Sequence, residues 1–210
     1  MRAVVDPRTD LVIDGFPRSA NTFAYFAFVE ANPSKSLRIA NHIHSSAQFS
    51  LAARYGVPAL LVIRAPRPCL ASYAQYMEGV DLGVLLDRYI RFHRGVLASV
   101  GHCVVSDFEQ TTKQLDKVIG QVNERFGSDF VAPPMDEAFV ARVRRTIEQQ
   151  YDRLRDELGD VIHEGKKAVP TSRRRARRDA LIEQIEGPRL ASRLEEADAL
   201  HAQLLSGGGS

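Results

Sequence analysis

Short apolar runs that alternate with longer helical patterns are the feature that most constrains the fold of this chain. Four such runs predict strands, at residues 10–14, 36–41, 58–63 and 102–106. Helical patterns surround them, at residues 19–31, 46–55, 67–78, 82–99, 110–126, 135–158 and 174–205. Because short strands separated by helices pair in parallel and need cover, the sequence predicts an α/β fold: a parallel sheet with helices on both faces and a helical C-terminal region.

The size and composition of the chain fit one such domain. Its 210 residues are 44% hydrophobic and carry a formal net charge of +2. We therefore predict a single α/β domain over residues 1–205, followed by a flexible Gly/Ser tail at residues 206–210. The small net charge argues against a general attraction to nucleic acid. With two cysteines, no signal peptide and no apolar run of ~18 residues, we expect a cytoplasmic protein without membrane insertion.

The first predicted strand leads into a turn with the features of a phosphate-binding loop. Gly15 and Thr22 match the spacing of the nucleotide P-loop, but Ala20 and Asn21 stand where that loop has its second Gly and its Lys. The cation is instead Arg18, inside the turn. Free backbone N–H groups at the start of a helix predict a phosphate site of P-loop type without the lysine of the NTPases. Ala20 is expected to have an ordinary helical φ, since it lacks the freedom of glycine.

A second anion-binding pattern follows the third predicted strand. Arg64 stands at the carboxyl end of that strand, Pro66 and Pro68 start a helix, and Ser72 comes eight residues after Arg64. A guanidinium at a strand end and a hydroxyl on the next helix can converge on one anion. Ligands of open α/β sheets collect at the carboxyl ends of the strands, where both patterns lie.

Together the two segments resemble the PAPS-dependent sulfotransferases, and the chain resembles a small bacterial-type member of that P-loop superfamily. The stretch Pro17 to Phe23 is similar to the family motif Pro-Lys-Ser-Gly-Thr-Thr-Trp, which binds the 5′-phosphosulfate. Arg64, Ser72 and Tyr73 match the second motif, which grips the 3′-phosphate. The resemblance covers residues 10 to about 130.

The resemblance implies a sulfotransferase that moves a sulfuryl group from PAPS (3′-phosphoadenosine 5′-phosphosulfate), its co-substrate, to an acceptor hydroxyl or amine without a metal. The residues that it implies for the nucleotide are Pro17, Arg18, Ser19, Ala20, Asn21, Thr22, Phe23, Arg64 and Ser72. No counterpart of the family's C-terminal Arg-Lys-Gly stretch is present. The arginine-rich segment at residues 170–178 is a candidate replacement, a flap over the nucleotide, to which Ser172 and Arg173 would contribute. A solvated helix face and a nucleic-acid patch are the alternatives for this segment.

Two histidines are candidates for the acceptor base. His42 follows the second predicted strand and precedes Arg64 by 22 residues, the interval at which many family members carry a histidine. His44 is two residues further on and would share its side if the strand continued. A neutral imidazole can take the proton of a hydroxyl that attacks sulfur. We therefore expect His42, His44 and Arg18 to be catalytic, with a solvated surface loop as the alternative for the histidines.

Two other functional classes stay open. A small P-loop kinase or NTPase would need a lysine in the loop and a Mg²⁺-binding aspartate, for which Asp107 is the candidate. A nucleotide-binding protein without catalysis would also fit the departures from the motif. The expected partner is a small-molecule acceptor that the sequence does not identify, and a homodimer stays open.

Overall fold

Four strands form one parallel sheet at the centre of the protein. The computed structural model describes the backbone of residues 3–158 and 172–207, and the side chains of residues 3–153 and 176–207. The strands are β1 (Leu11–Gly15), β2 (Ile39–Asn41), β3 (Ala59–Val62) and β4 (Val104–Ser106), in the order β2-β1-β3-β4. Each neighbouring pair is parallel. The structure therefore confirms the predicted α/β class and places all four strands inside or within one residue of the predicted runs.

Helices cover the sheet and make up most of the rest. They are α1 (Asn21–Ala31), α2 (Ala47–Tyr55), α3 (Pro66–Tyr76), α4 (Leu82–Val96), α5 (Phe108–Lys113), α6 (Leu115–Phe126), α7 (Glu137–Leu158), α8 (Ser172–Ile185) and α9 (Ala191–Gly207), with a 3₁₀ helix at Leu97–His102. The single helix predicted at residues 174–205 is wrong, because the chain breaks between α8 and α9. Gly187 and Pro188 cause the break, since proline cannot continue a helix and glycine disfavours one.

Alternate residues of the strands build two cores. On β1, Val12 packs with the apolar residues of α2, α3, α4 and α9 on one face of the sheet. Its neighbours Leu11 and Ile13 pack on the other face with α1, α6 and α7. Since successive strand residues point to opposite faces, a fully buried strand must be apolar throughout. This explains the continuous runs that predicted the strands, and it makes Asp14, fully buried in β1, an exception.

His93 of α4 is buried inside the first of these cores. Its ring stacks on Tyr89, with 3.8 Å between ring centroids, and its Nδ1 lies 2.8 Å from the Tyr89 carbonyl oxygen. Burial lowers the pKa of His93 to about 3. The bond to the Tyr89 carbonyl raises the pKa and the nearby His201 lowers it, but both effects are smaller than that of burial. The folded protein therefore holds this imidazole neutral well below the pH at which a free histidine gains its proton.

Acid should destabilise the fold through His93. An unfolded histidine gains its proton near pH 6.5, whereas the folded one resists until about pH 3. The contribution is thus fully present above pH 6.5 and is lost as the pH falls toward 3, at up to about 1.4 kcal/mol per pH unit. Urea unfolding of the parent and of His93→Phe, compared between pH 7.5 and 4.5, measures it. A variant whose stability falls as steeply as that of the parent would contradict the assignment.

Candidate functional site

The turn after β1 has an unusual backbone conformation. Arg18 and Ala20 both have positive φ, at 70° and 79°. The expectation of an ordinary helical φ at Ala20 is therefore wrong, because Ala20 precedes α1 as its N-cap residue in the left-handed region. No side chain caps α1 and no acidic residue lies in its first turn. Left-handed residues before an uncapped helix leave several backbone N–H groups free to bind an anion.

Close packing against β3 holds the base of this loop. Gly15 lies so near the Val62 carbonyl that an added Cβ would overlap its oxygen. The amide nitrogen of Asn21 donates to the carbonyls of Phe16, at 2.9 Å, and Gly15, at 3.4 Å. The side-chain donors of Asn21 are thus used within the loop, and its Oδ1 is buried without a hydrogen-bond partner. Asn21 can offer a ligand only its backbone N–H.

Three of the predicted nucleotide residues, Pro17, Ser19 and Phe23, make contacts within the protein. Ser19 is fully buried, and its Oγ lies 3.8 Å from Sγ of Cys69. That thiol donates to the Pro17 carbonyl at 3.3 Å, and burial raises the pKa of Cys69 to about 11. Phe23 is partly buried and packs against the core on the α1 face of the sheet. These side chains support the loop, which leaves ligand contacts to its backbone, Arg18 and Thr22.

Both predicted arginines meet at the loop. Nε of Arg18 donates to Oγ of Ser72 at 3.0 Å, and Nη1 of Arg64 donates to the Arg18 carbonyl at 3.0 Å. Arg64 stacks over the ring of Phe108 at 4.0 Å, and Arg18 lies 5.7 Å from the Tyr76 ring centroid. The structure therefore joins Arg18, Arg64 and Ser72 in one cluster. Each guanidinium uses one of its five N–H groups in these bonds.

Positive charge accumulates in this cluster. Across the residues whose side chains the structure describes, neither Arg18 nor Arg64 has a carboxylate within ion-pair distance. Burial lowers the pKa of Arg64, and the like charges of Arg18 and Arg178 lower it further. Two adjacent arginines without an acidic partner favour an anion between them.

The arginine-rich segment reaches the site through α8. This helix packs along α3, and Arg177 donates to Glu78 at 2.8 Å. Among the side chains of the segment that the structure describes, Arg178 is near enough for its charge to lower the pKa of Arg64. The predicted contacts of Ser172 and Arg173 lie outside the described side chains, as does the start of the segment at residues 170–171.

His42 is joined to the phosphate-type loop. Its Nε2 lies 3.1 Å from Oγ1 of Thr22, and its Nδ1 lies 2.8 Å from Oδ1 of Asn41. The amide nitrogen of Asn41 donates to the Ile39 carbonyl, so Oδ1 is the atom that faces the ring and Nδ1 carries the hydrogen. Nε2 of His42 is then the acceptor for the Thr22 hydroxyl.

His44 is joined to a buried carboxylate that the sequence interpretation missed. Its Nδ1 lies 2.7 Å from the Gly15 carbonyl oxygen and 3.3 Å from Oδ1 of Asp14. The carboxylate of Asp14 also accepts from the backbone N–H groups of Gly15, Ile43 and His44, at 2.8, 3.0 and 3.1 Å. A charged residue in an otherwise apolar strand was the available signal, because a buried charge needs compensating donors.

The two histidine rings are 5.6 Å apart, centroid to centroid, and both residues have positive φ, 56° at His42 and 55° at His44. The chain therefore does not continue as a strand after Asn41. It turns, and the turn brings both rings beside the loop of Arg18.

Asp107, the candidate Mg²⁺ ligand of a kinase-like site, is engaged elsewhere. Its Oδ1 accepts from the Gln110 backbone N–H at 2.8 Å, and its own backbone N–H donates to Oε1 of Gln110 at 3.0 Å. This capping box starts α5. The described side chains contain no cluster of three or more His, Cys, Asp or Glu residues that could hold a metal. Among the helices that the structure describes, none is both long and apolar enough to span a membrane.

Comparisons with known proteins give one structural similarity and no sequence match. A scan against protein-family models found no match, and a search of curated proteins found none. Among solved structures, the chain is similar to mouse sulfotransferase SULT7A1 complexed with PAP, at 12% identity and a TM-score of 0.46, over 92% of this chain and 89% of that one. Similarity at this level assigns no function, so the conclusions below rest on the site itself.

Glycine should relieve strain at position 20. A non-glycine residue in the left-handed region is disfavoured by roughly 1–2 kcal/mol, so Ala20→Gly should raise the free energy of unfolding by about 1 kcal/mol. Ala53→Gly, at an exposed position inside α2, is the matched control and should lower it by about 1 kcal/mol. Urea denaturation of both variants measures the difference. Equal losses would contradict the left-handed conformation of Ala20.

Proposed function

We propose that the protein binds PAPS and transfers its sulfuryl group to a hydroxyl or amine of a small-molecule acceptor. The observation that carries this proposal is the cluster that Arg18, on a loop with two left-handed residues, forms with Ser72 of α3 and with Arg64 after β3, without a carboxylate partner among the described side chains. A nucleotide with anionic groups on both the 5′ and the 3′ position of its ribose would supply the missing negative charge.

The 5′-phosphosulfate and the 3′-phosphate have separate partners in this proposal. The 5′-phosphosulfate lies against the backbone N–H groups at the start of α1, with Arg18 and Thr22 beside it. The 3′-phosphate is held by Arg64 and Ser72. Arg64 keeps most of its N–H groups available, and the Ser72 hydroxyl accepts from Arg18 while its own hydrogen can be donated to the phosphate.

Arg18 connects binding to chemistry. When PAPS is bound, it supplies an activated sulfuryl group whose departure leaves negative charge on the 5′-phosphate oxygens. Groups already oriented toward that charge stabilise the transition state more than the ground state. Arg18 is oriented by Ser72 and by the ring of Tyr76, so its guanidinium needs little reorganisation as charge develops.

The same proposal covers the acceptor class and the cellular compartment. The acceptor is a small molecule, nucleic acid is not a partner, and the protein works in the cytoplasm as a small bacterial-type enzyme. Cys69 and Cys103 are both free and buried, which suits a reducing compartment. Burial raises the pKa of the Cys103 thiol to about 12, which keeps it protonated.

Calorimetry tests the proposal most directly. The protein should bind adenosine 3′,5′-bisphosphate in the presence of EDTA and should prefer it to ATP with Mg²⁺. Transfer of label from PAPS to an acceptor, screened over phenols, sugars, lipids and peptidic compounds, would then distinguish an enzyme from a binding protein. Preference for ATP with Mg²⁺ would instead favour the kinase or NTPase class.

Loss of Arg64 should reveal the 3′-phosphate contact. Arg64→Ala should weaken binding of the bisphosphate by about 2 kcal/mol, because a charge-assisted hydrogen bond to phosphate is lost. Binding of adenosine 5′-phosphosulfate, which lacks the 3′-phosphate, should hardly change. Arg88→Ala removes the same charge from an exposed part of α4 and should leave both affinities at parent values. Equal losses for the two nucleotides would contradict the assignment of Arg64.

Loss of Arg18 should act mainly on turnover. Arg18→Ala should lower kcat about 100-fold or more, with a smaller rise in the KM for PAPS, because its interaction strengthens as the sulfur–oxygen bond breaks. Arg18→Lys should recover part of the rate, since it restores the charge. Steady-state kinetics at several PAPS concentrations separates kcat from KM. A rise in KM alone would show that Arg18 only binds the ground state.

A further inference from the structure

The two histidines beside the loop differ in what their basic nitrogens face. Nε2 of His42 accepts from Thr22, which belongs to the loop. On His44, the Gly15 carbonyl is an acceptor only, so the hydrogen must be on Nδ1 and the lone pair on Nε2. Within the part of the chain that the structure describes, Nε2 of His44 makes no hydrogen bond, and the side chain is 26% exposed. Solvent, or an acceptor in its place, can therefore reach Nε2.

Asp14 holds His44 in this state from behind. The carboxylate is fully buried and accepts three backbone N–H groups, two of them from Ile43 and His44 themselves. These bonds maintain the turn in which His44 has positive φ. Oδ1 also lies 3.3 Å from Nδ1, so a negative charge faces the ring on the side opposite to Nε2. A carboxylate placed there fixes the orientation of the ring and keeps its hydrogen on Nδ1, with the lone pair of Nε2 turned away from Asp14.

We propose that His44, rather than His42, takes the proton of the acceptor, and that Asp14 positions His44 for this role. This inference rests on the proposed sulfuryl transfer. The acceptor oxygen forms its bond to sulfur, the bond from sulfur to the 5′-phosphate oxygen breaks, and the electron pair stays on the bisphosphate. The acceptor proton moves to Nε2 of His44 and is later released to solvent. Asp14 touches no reacting atom and acts through His44.

His42 has a different role in this scheme. Asn41 and Thr22 bond to its two nitrogens, so it connects the end of β2 to the first turn of α1. Its replacement should disturb the loop and the binding of the nucleotide, whereas replacement of His44 should leave nucleotide binding intact. This contrast separates the two residues by experiment.

Asparagine is the suitable replacement at both histidines, because it tolerates positive φ better than alanine. His44→Asn should lower kcat by ~10²- to 10⁴-fold, with the affinity for adenosine 3′,5′-bisphosphate within a factor of two of the parent. His42→Asn should lower that affinity and reduce kcat less. Full turnover by His44→Asn, with loss of turnover in His42→Asn, would overturn the proposal.

Asp14→Asn tests the positioning role, since an amide placed there turns an NH₂ group toward backbone donors. We expect kcat to fall about 10²-fold and the KM for PAPS to rise by a smaller factor, because one of the lost bonds comes from Gly15 of the loop. Asp10→Asn is the matched control: Oδ2 of Asp10 accepts from the Arg38 backbone at 2.7 Å, which also joins the segments of β1 and β2, but at their amino ends, away from the site. It should keep the parent kcat. Equal loss in both variants would mean a purely structural role.

A double-mutant cycle gives a further check. If Asp14 acts through His44, Asp14→Asn should add little loss of kcat to a protein that already carries His44→Asn. Losses that multiply would overturn the positioning role of Asp14. Because Asp14→Asn could unfold the protein, the thermal shift with the bisphosphate is measured for each variant.

NMR of the parent, labelled with [¹⁵N]histidine, provides a measurement that needs neither a variant nor turnover. The spectrum should show His44 with its hydrogen on Nδ1, and the opposite tautomer would overturn the proposal. A parent that binds the bisphosphate but never transfers sulfate would overturn the proposed function, and this inference with it. If the parent transfers sulfate and the His44→Asn variant does so at the same rate, this inference alone is overturned.

Discussion

The buried carboxylate of Asp14 connects the main parts of the site. It lies in the interior of the sheet, in a strand whose other residues are apolar or glycine, and three backbone N–H groups bond to it. A buried charge is tolerated only when such donors surround it. The donors come from the start of the phosphate-type loop at Gly15 and from the turn after β2, at Ile43 and His44. The same group therefore sets where the loop begins and where the histidine turn lies.

Strain collects at this edge of the sheet. Over the described backbone, non-glycine residues with positive φ are Arg18, Ala20, His42, His44 and Met135, and the first four belong to the site. Each costs on the order of 1 kcal/mol or more and persists only where neighbouring contacts enforce it. Asp14, the Asn21 amide and the close approach of Gly15 to β3 supply those contacts. Such clustering of strain is typical of functional sites.

The arginines of the site differ from Arg67 and Arg193 in the groups to which they bond. Arg67 bonds to Glu186 and Asp198, and Arg193 bonds to Asp87, so these cations are neutralised within the protein. Arg18 and Arg64 bond instead to a hydroxyl and a carbonyl, and no carboxylate among the described side chains compensates their charges. Burial and the neighbouring charge of Arg18 lower the pKa of Arg64, and a bound anion would offset this unfavourable effect.

The sequence by itself determined the parallel sheet, because buried parallel strands must be apolar throughout and the helical connections between them are long. It also predicted that Arg18, Arg64 and Ser72 would lie close together, since the carboxyl ends of the strands in such a sheet share one side. It could not determine that Ala20 would be left-handed or that Asp14 would support His44. Those features depend on bonds between residues about 30 positions apart, and on a backbone approach between β1 and β3. Local pattern carries no information on such contacts, so only the tertiary structure decided them.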